Sequence, residues 1–331
     1  MALSTPPKRS LSGIQPSGSV HIGNYLGMIK PALELQKDFE CIYFIVDFHA
    51  LTSEHSGKKI HEYTLDLVAT WLSLGLDVTK HIFYRQSDVP FVAEYTWYLS
   101  CFTGMGLLEK CHAYKDKIAQ GITPSHALFA YPVLMAADIL MYEPDIVPVG
   151  KDQKQHVEVA RDIAGSLNAN FGEGFVKVPT PVINEEVMLI PGLDGRKMSK
   201  SYNNTIPLFA DEKTLEKLVM SIKTDSTALE EPKDLNGSLV GQLFALFGTP
   251  AQYNDLKERM LRGGMGWGHA KKELFQVIND QLSKPRSEYL KLRSDEKHLL
   301  NVLDAGADRA KEIALVQLNK LRTTFGFKPA A

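Results

Sequence analysis

Cysteine is scarce in this chain. Its 331 residues include three, Cys41, Cys101 and Cys111. None stands in Cys-x-x-Cys spacing, so no zinc or iron–sulfur site is expected, and no structural metal. An odd, sparse set reads as free thiols of a reducing compartment, and a cytoplasmic location is expected. No run of 18 apolar residues occurs, so no membrane partner is expected. Lys8 and Arg9 have no apolar stretch behind them, so the N-terminus does not read as a signal peptide. Neither charge sign dominates. The 37 basic and 39 acidic residues leave a formal net charge of −2. A phosphate-bearing partner must then be met by local patches rather than by the overall field.

Three motifs are also missing. There is no Gly-x-x-x-x-Gly-Lys-Ser/Thr, which excludes a P-loop kinase or GTPase. There is no Gly-x-Ser-x-Gly to announce a serine nucleophile. No Gly-x-Gly-x-x-Gly follows the first strand candidate, which ranks a dinucleotide-binding dehydrogenase last.

What is present reads as an α/β protein. Residues 9–14 form a strand candidate that runs into the loop residues Gln15, Pro16, Ser17 and Gly18. A helical pattern follows from Ile22, with Pro31 predicting a kink. Residues 41–46 are a continuous apolar run, as expected of a strand buried on both faces. Residues 59–74 read as an amphipathic helix, 81–84 and 146–150 as further strands, and 152–167 as a helix. This alternation predicts a Rossmann-like parallel sheet wrapped by helices, with ligands at the carboxyl ends of its strands. Past residue 212 helical patterns dominate, broken by glycines at 263–268 and closed by a long helix over 299–325.

Two separated runs carry the chemistry. The first, residues 12–24, brings His21 and Asn24 to a helix start among glycines that include Gly23. Taken alone, His21 is an ordinary loop histidine. The second is the ordered run Lys197, Met198, Ser199, Lys200 and Ser201. Two mobile ammonium groups can follow phosphate oxygens as bonds break. With no P-loop and no nucleophile elbow, the pair favours nucleotidyl transfer over hydrolysis. Tyr131, Met135 and Asp138 are spaced four and three, so a helix places them on one face. Methionine offers a polarisable contact to an aromatic ring, and the carboxylate an acceptor. Read from spacing alone, they fit core residues and a cap at least as well.

These runs resemble the two signatures of the class I aminoacyl-tRNA synthetases. The resemblance extends over essentially the whole chain. The run Met135-Ala136-Ala137-Asp138-Ile139-Leu140 and the run around Gly150, Asp152, Gln153 and His156 make it similar to the tryptophanyl/tyrosyl branch, and to its tryptophanyl members in particular. The resemblance implies a tryptophan–tRNA ligase with ATP, carried as its Mg²⁺ complex, L-tryptophan and tRNA(Trp) as partners, and a homodimer. It implies ATP contacts from Gln15, Pro16, Ser17, Gly23, Asn24, Lys117, Gly150, Lys151, Asp152 and Met188, and from the 197–201 loop. His21, Asn24, Lys197 and Lys200 would act in catalysis. Asp138 would accept the indole N–H, with Tyr131, Met135, His49 and Gln153 completing the tryptophan pocket. The expected division is a catalytic domain over 1–193 and a helical anticodon-recognition domain over 194–294, with a last helix from about 295 packing back on the first. Three departures stand out: Lys151 where the family has an acid, Leu11 where an aromatic is common, and Tyr202-Asn203-Asn204 where an acidic residue is frequent. Two rival readings stay open on sequence: a related adenylate-forming enzyme, such as a tyrosyl-tRNA synthetase, and an idle RNA-binding paralogue.

Overall fold

The computed structural model describes residues 8–111, 114–115, 125–150, 153–183 and 190–330. Its centre is a parallel sheet in the order β3-β2-β1-β4-β5. The strands are β1 (Arg9–Ile14), β2 (Glu40–Ile45), β3 (Ile82–Arg85), β4 (Ile146–Val149) and β5 (Thr180–Ile183). The first four match the strand candidates of the sequence. β5 was not expected. It is short, contains Pro181 and pairs only with β4, and proline is tolerated on such an edge. Between β1 and β2 the chain makes the three-residue turn α1 (Ile22–Asn24), a π-helical stretch and then α2 (Lys30–Glu34). The π-turn closes with the Lys30 N–H on the Tyr25 carbonyl, immediately ahead of Pro31. The proline thus widens the helix where a kink was predicted.

The pleat sorts side chains between two cores. Leu11, Ile42, Phe44, Ile82 and Tyr84 face one way. They meet α5 (Phe91–Ser100), α7 (His126–Leu140), α8 (Lys154–Phe171) and α13 (Glu296–Thr324); the short α6 (Met105–Glu109) packs on α7. Cys41, Tyr43, Ile45 and Phe83 face the other way. There α4 (Gly57–Ser73) lays Trp71 against Tyr43 at 4.9 Å and Phe83 at 5.9 Å between ring centres. This second core runs on through Leu208 and Val219 into the helices α9 (Glu212–Met220), α10 (Leu239–Phe247), α11 (Pro250–Leu261) and α12 (Trp267–Arg293).

The last helix, α13, covers the outer edge of β3. At Gly306 the two backbones touch, and a Cβ there would collide with the Phe83 carbonyl oxygen. The Arg309 guanidinium then caps the carbonyls of Val78, Lys80 and His81 at 3.0–3.1 Å. An unpaired parallel edge is thereby hidden. Beyond the helix, Phe325 stacks on Tyr98 and Phe102, at 5.3 and 5.9 Å. Gly306→Ala should lower stability by about 2 kcal/mol through overpacking; a urea unfolding midpoint equal to the parent's would show that the helix can lift away freely.

Candidate active site

The first run leaves the carboxyl end of β1. His21 sits in extended backbone as the residue ahead of α1, and it is locked there from both sides. Its Nδ1 accepts the Asn24 N–H at 3.2 Å, and its own N–H donates to Asn24 Oδ1 at 3.2 Å. Because Nδ1 is an acceptor, the ring proton resides on Nε2. Burial, with the charge of Lys200 adding to it, lowers the imidazole from 6.5 to about 4. At neutral pH His21 is therefore an uncharged Nε2–H donor. The same box turns the Asn24 amide so that its NH₂ is left for another partner.

The second run is stitched onto this one. Ile22 N–H donates to the Ile206 carbonyl at 2.9 Å, and Leu208 N–H to the Val20 carbonyl at 3.0 Å. Met198 is buried, and its sulfur accepts the Gly23 N–H at 3.3 Å. A Cβ on residue 23 would lie 3.0 Å from the His21 ring and 3.2 Å from the Met198 Cβ, so the approach depends on glycine. Lys200 Nζ donates to the Ser17 carbonyl at 2.9 Å, and neighbouring protein lowers its ammonium below the ordinary lysine value, against the pull of Asp66. The Lys197 side chain is exposed and has no hydrogen-bond or ion-pair partner among the described residues. Gln15 and Ser17 are exposed, whereas Pro16 is buried.

Asn204, one of the departures, holds this loop. It is buried; its amide donates to Asp194 Oδ1 at 2.7 Å and to the Lys197 carbonyl at 3.2 Å, and its Oδ1 accepts the Ser199 N–H at 2.8 Å. With the Asn204 amide and Arg196 beside it, the Asp194 carboxyl is held down to about 2.

A second cluster lies beyond the ends of β2, β3 and β4. Asp138 on α7 is buried, and its carboxylate accepts His49 Nε2 at 3.0 Å and the Gln86 amide at 2.8 Å. Burial raises its carboxyl above the usual range, with His49 and Gln86 pulling it back. Tyr131 and Met135 are half-buried on the same helix, and the His49 and Tyr131 rings meet edge to face at 6.0 Å. Tyr131 OH lies 2.5 Å from His156 Nε2, whose Nδ1 lies 2.8 Å from Gln153 Oε1. Gly150 follows β4, and its carbonyl accepts the Gln153 N–H at 3.0 Å. Leu11 is a fully buried core residue on the same side of the sheet as Ile42 and Tyr84.

The structure thus joins His21, Asn24, Gly23, Ser17, Met198 and Lys200 in one group, and Asp138, His49, Tyr131, Met135 and Gln153 in another. Lys117, Lys151, Asp152 and Met188 lie outside the described residues. Sequence reasoning missed Gln86 and His156 as site residues. Gln86 gave only the weak signal of a polar residue after a strand; His156 stood inside a quoted run. Among the described residues no group of three or more His, Cys, Asp or Glu side chains is gathered to hold a metal ion, and no helix is long and apolar enough to cross a membrane.

This geometry has known counterparts. The family model for class I tRNA synthetases (W and Y) matches residues 4–283. A tryptophan–tRNA ligase of Fusobacterium nucleatum is 47% identical over 319 residues, covering 96% of this chain and 98% of that one. The crystal structure of tryptophanyl-tRNA synthetase from Campylobacter jejuni complexed with ADP and tryptophan superposes with a TM-score of 0.92 at 47% identity, over 96% of this chain and 100% of that one. At 22% identity, the enzyme of the archaeon Aeropyrum pernix still shares the fold, with a TM-score of 0.73 over 88% of this chain and 81% of that one. The chain belongs to the class I tRNA synthetases of the W and Y type.

The state of His21 is directly measurable. Its imidazole should stay neutral in an NMR titration until about pH 4, and a midpoint near 6.5 would contradict the locked, desolvated ring. The linked effect is destabilising in acid. Below about pH 6.5 the unfolded chain binds a proton that the folded one refuses, so stability falls from there towards pH 4.

Proposed function

We infer that the chain is a tryptophan–tRNA ligase. It activates L-tryptophan with ATP to tryptophanyl-adenylate and pyrophosphate, then passes tryptophan to the 3′ end of tRNA(Trp). The observation that carries the reading is the meeting of the His21–Asn24 box with the Met198–Lys200 segment, in a chain that also buries a carboxylate on the helix bearing Tyr131 and Met135.

The chemistry fits those groups. A carboxylate oxygen of tryptophan attacks the α-phosphorus of ATP, and the bond from that phosphorus to the bridging oxygen breaks. The nucleophile is already ionised at neutral pH, since an α-carboxyl titrates near about 3.5. No general base is required. The barrier is the approach of two anions, so catalysis rests on positioning and on donors aimed at the developing charge. The Nε2–H of His21, the Asn24 amide and the ammonium groups of Lys197 and Lys200 supply it. ATP contact is assigned to Gln15, Pro16, Ser17, Gly23 and Gly150, and, by the family pattern in the sequence, to Lys117, Lys151, Asp152, Met188, Ser199 and Ser201. Mg²⁺ arrives as part of the nucleotide substrate. In the second step a ribose hydroxyl of tRNA attacks the mixed anhydride and AMP leaves.

Tryptophan is sorted at Asp138. A buried acceptor that matches the indole N–H rejects phenylalanine, whose ring would leave that acceptor unpaired. His49, Tyr131, Met135 and Gln153 complete the pocket. Asp138→Ala should lose at least about a hundredfold in tryptophan-dependent pyrophosphate exchange while remaining folded by circular dichroism. Exchange at near-parent efficiency would remove the carboxylate from recognition.

The catalytic unit proposed here spans residues 1–193, and anticodon recognition is assigned to 194–294. Two of the cations near the glycine break, and one aromatic side chain, are occupied by packing. Arg259 pairs with Glu273 at 2.6 Å, Lys271 is buried on the Met220 carbonyl at 3.1 Å, and the neighbouring Trp267 donates to Asp225 at 2.9 Å; within that surface Arg262 and Lys272 remain exposed and are the side chains offered to RNA. A cytoplasmic location is proposed with the free cysteines as support. A homodimer is proposed too, supported by Trp97 and Met105, which are 69% and 62% exposed on the neighbouring helices α5 and α6. Trp97→Glu should shift the sedimentation coefficient towards that of a monomer; an unchanged value would place the interface elsewhere.

A further inference from the structure

The mechanism above leaves one fully buried amide unused. Gln86 is 1% exposed, just past the end of β3. Its orientation is fixed rather than chosen, because its Oε1 accepts the Phe48 N–H at 3.1 Å. The opposite end, the NH₂, therefore faces Asp138, 2.8 Å from both carboxylate oxygens. His49 Nε2 approaches Oδ2 at 3.0 Å. We propose that Gln86 is the positioning residue that keeps Asp138 a pure acceptor for the indole N–H, and so sets the preference for tryptophan. This rests on the role of Asp138 under the proposed function.

The lone pairs support it. Oδ2 receives two donors, Gln86 and His49, while Oδ1 receives Gln86 alone. A carboxylate oxygen can accept two hydrogen bonds, so Oδ1 keeps capacity for one further donor. A buried carboxyl without donors takes up a proton and presents an O–H, which would meet the indole N–H donor to donor. Gln86 opposes that change and also prevents the carboxylate from turning.

The loops after β2 and β3 are built to deliver this amide. Ser87 N–H donates to Asp47 Oδ1 at 3.0 Å, and the Ser87 hydroxyl donates to Asp47 Oδ2. Gln86 returns the exchange by accepting from Phe48. This reciprocal clasp brings His49 from one loop and Gln86 from the other to the same carboxylate. A glutamine that only filled space would need neither the fixed oxygen nor the shared contact.

The test uses Gln86→Met, which removes the donor, and Gln86→Glu, which sets acid against acid. Tryptophan-dependent pyrophosphate exchange is measured from pH 6 to 9 with KM determined for both substrates. Gln86→Met should raise the KM for tryptophan about ten- to a hundredfold at every pH, with the KM for ATP within about twofold of the parent. Gln86→Glu should lose as much at pH 8 and recover part of it towards pH 6, where one proton is shared between the two carboxyls. In an Asp138→Asn background, Gln86→Met should add less than about twofold. A KM for tryptophan unchanged in both variants, or an equal loss for tryptophan and ATP, would overturn the proposal. If the unsubstituted enzyme showed no tryptophan-dependent exchange at all, the functional reading would fall first. Should neither variant fold, ¹⁵N NMR of the parent decides. The Gln86 amide protons should exchange slowly and shift on addition of tryptophan; fast-exchanging, unshifted signals would overturn it.

Discussion

The structure depends on one backbone crossing. Residues 20–22 and 206–208 pair through two hydrogen bonds of 2.9 and 3.0 Å, although they are far apart in the chain. Everything cationic in the site follows from that crossing. It presses Met198 onto Gly23, sets Lys200 on the Ser17 carbonyl, and leaves the Lys197 side chain exposed. Met198 is the hinge of the arrangement, because its side chain belongs to the core while its neighbours in sequence are the polar working groups.

The electrostatics of the two clusters are opposite in kind. Around His21 the protein gathers donors and keeps the histidine uncharged, so its N–H can serve an anion without the cost of a buried cation. Around Asp138 the protein buries an acceptor and surrounds it with donors, which oppose the upward push of desolvation on its carboxyl. One cluster suits a triphosphate and the other a single neutral N–H. Both stand at the carboxyl ends of parallel strands, where the loops are free to carry function while the sheet stays fixed.

Much of this was legible in the sequence. A continuous apolar run marked β2, since a strand buried on both faces has no polar side to alternate, and shorter stretches marked β1, β3 and β4. The two signature runs pointed to the candidate site, whereas the 131–135–138 spacing alone fitted core residues and a cap at least as well. What stayed hidden has physical reasons. β5 is four residues long with a proline and a threonine, and only its pairing with β4 defines it. Gln86 carries no spacing signal, because its partners Phe48 and Asp138 come from other loops and helices. Asn204 read as a departure from a pattern; its work is to bind carbonyl groups and an N–H of its own loop, which no side-chain motif records. Near the glycine break, Trp267 and Lys271 are absorbed by packing, which their position in the sequence does not announce.

The central claim is that His21 and Lys200 act on one developing charge. The most direct measurement is a double-mutant cycle on the single-turnover rate of adenylate formation, using His21→Asn, Lys200→Ala and the pair together. If both groups stabilise the same α-phosphorus transition state, each single change slows the step and the double variant is faster than the product of the two losses predicts. Strictly multiplicative losses would mean that the two groups act independently, and would contradict the convergence on which this account of the site stands.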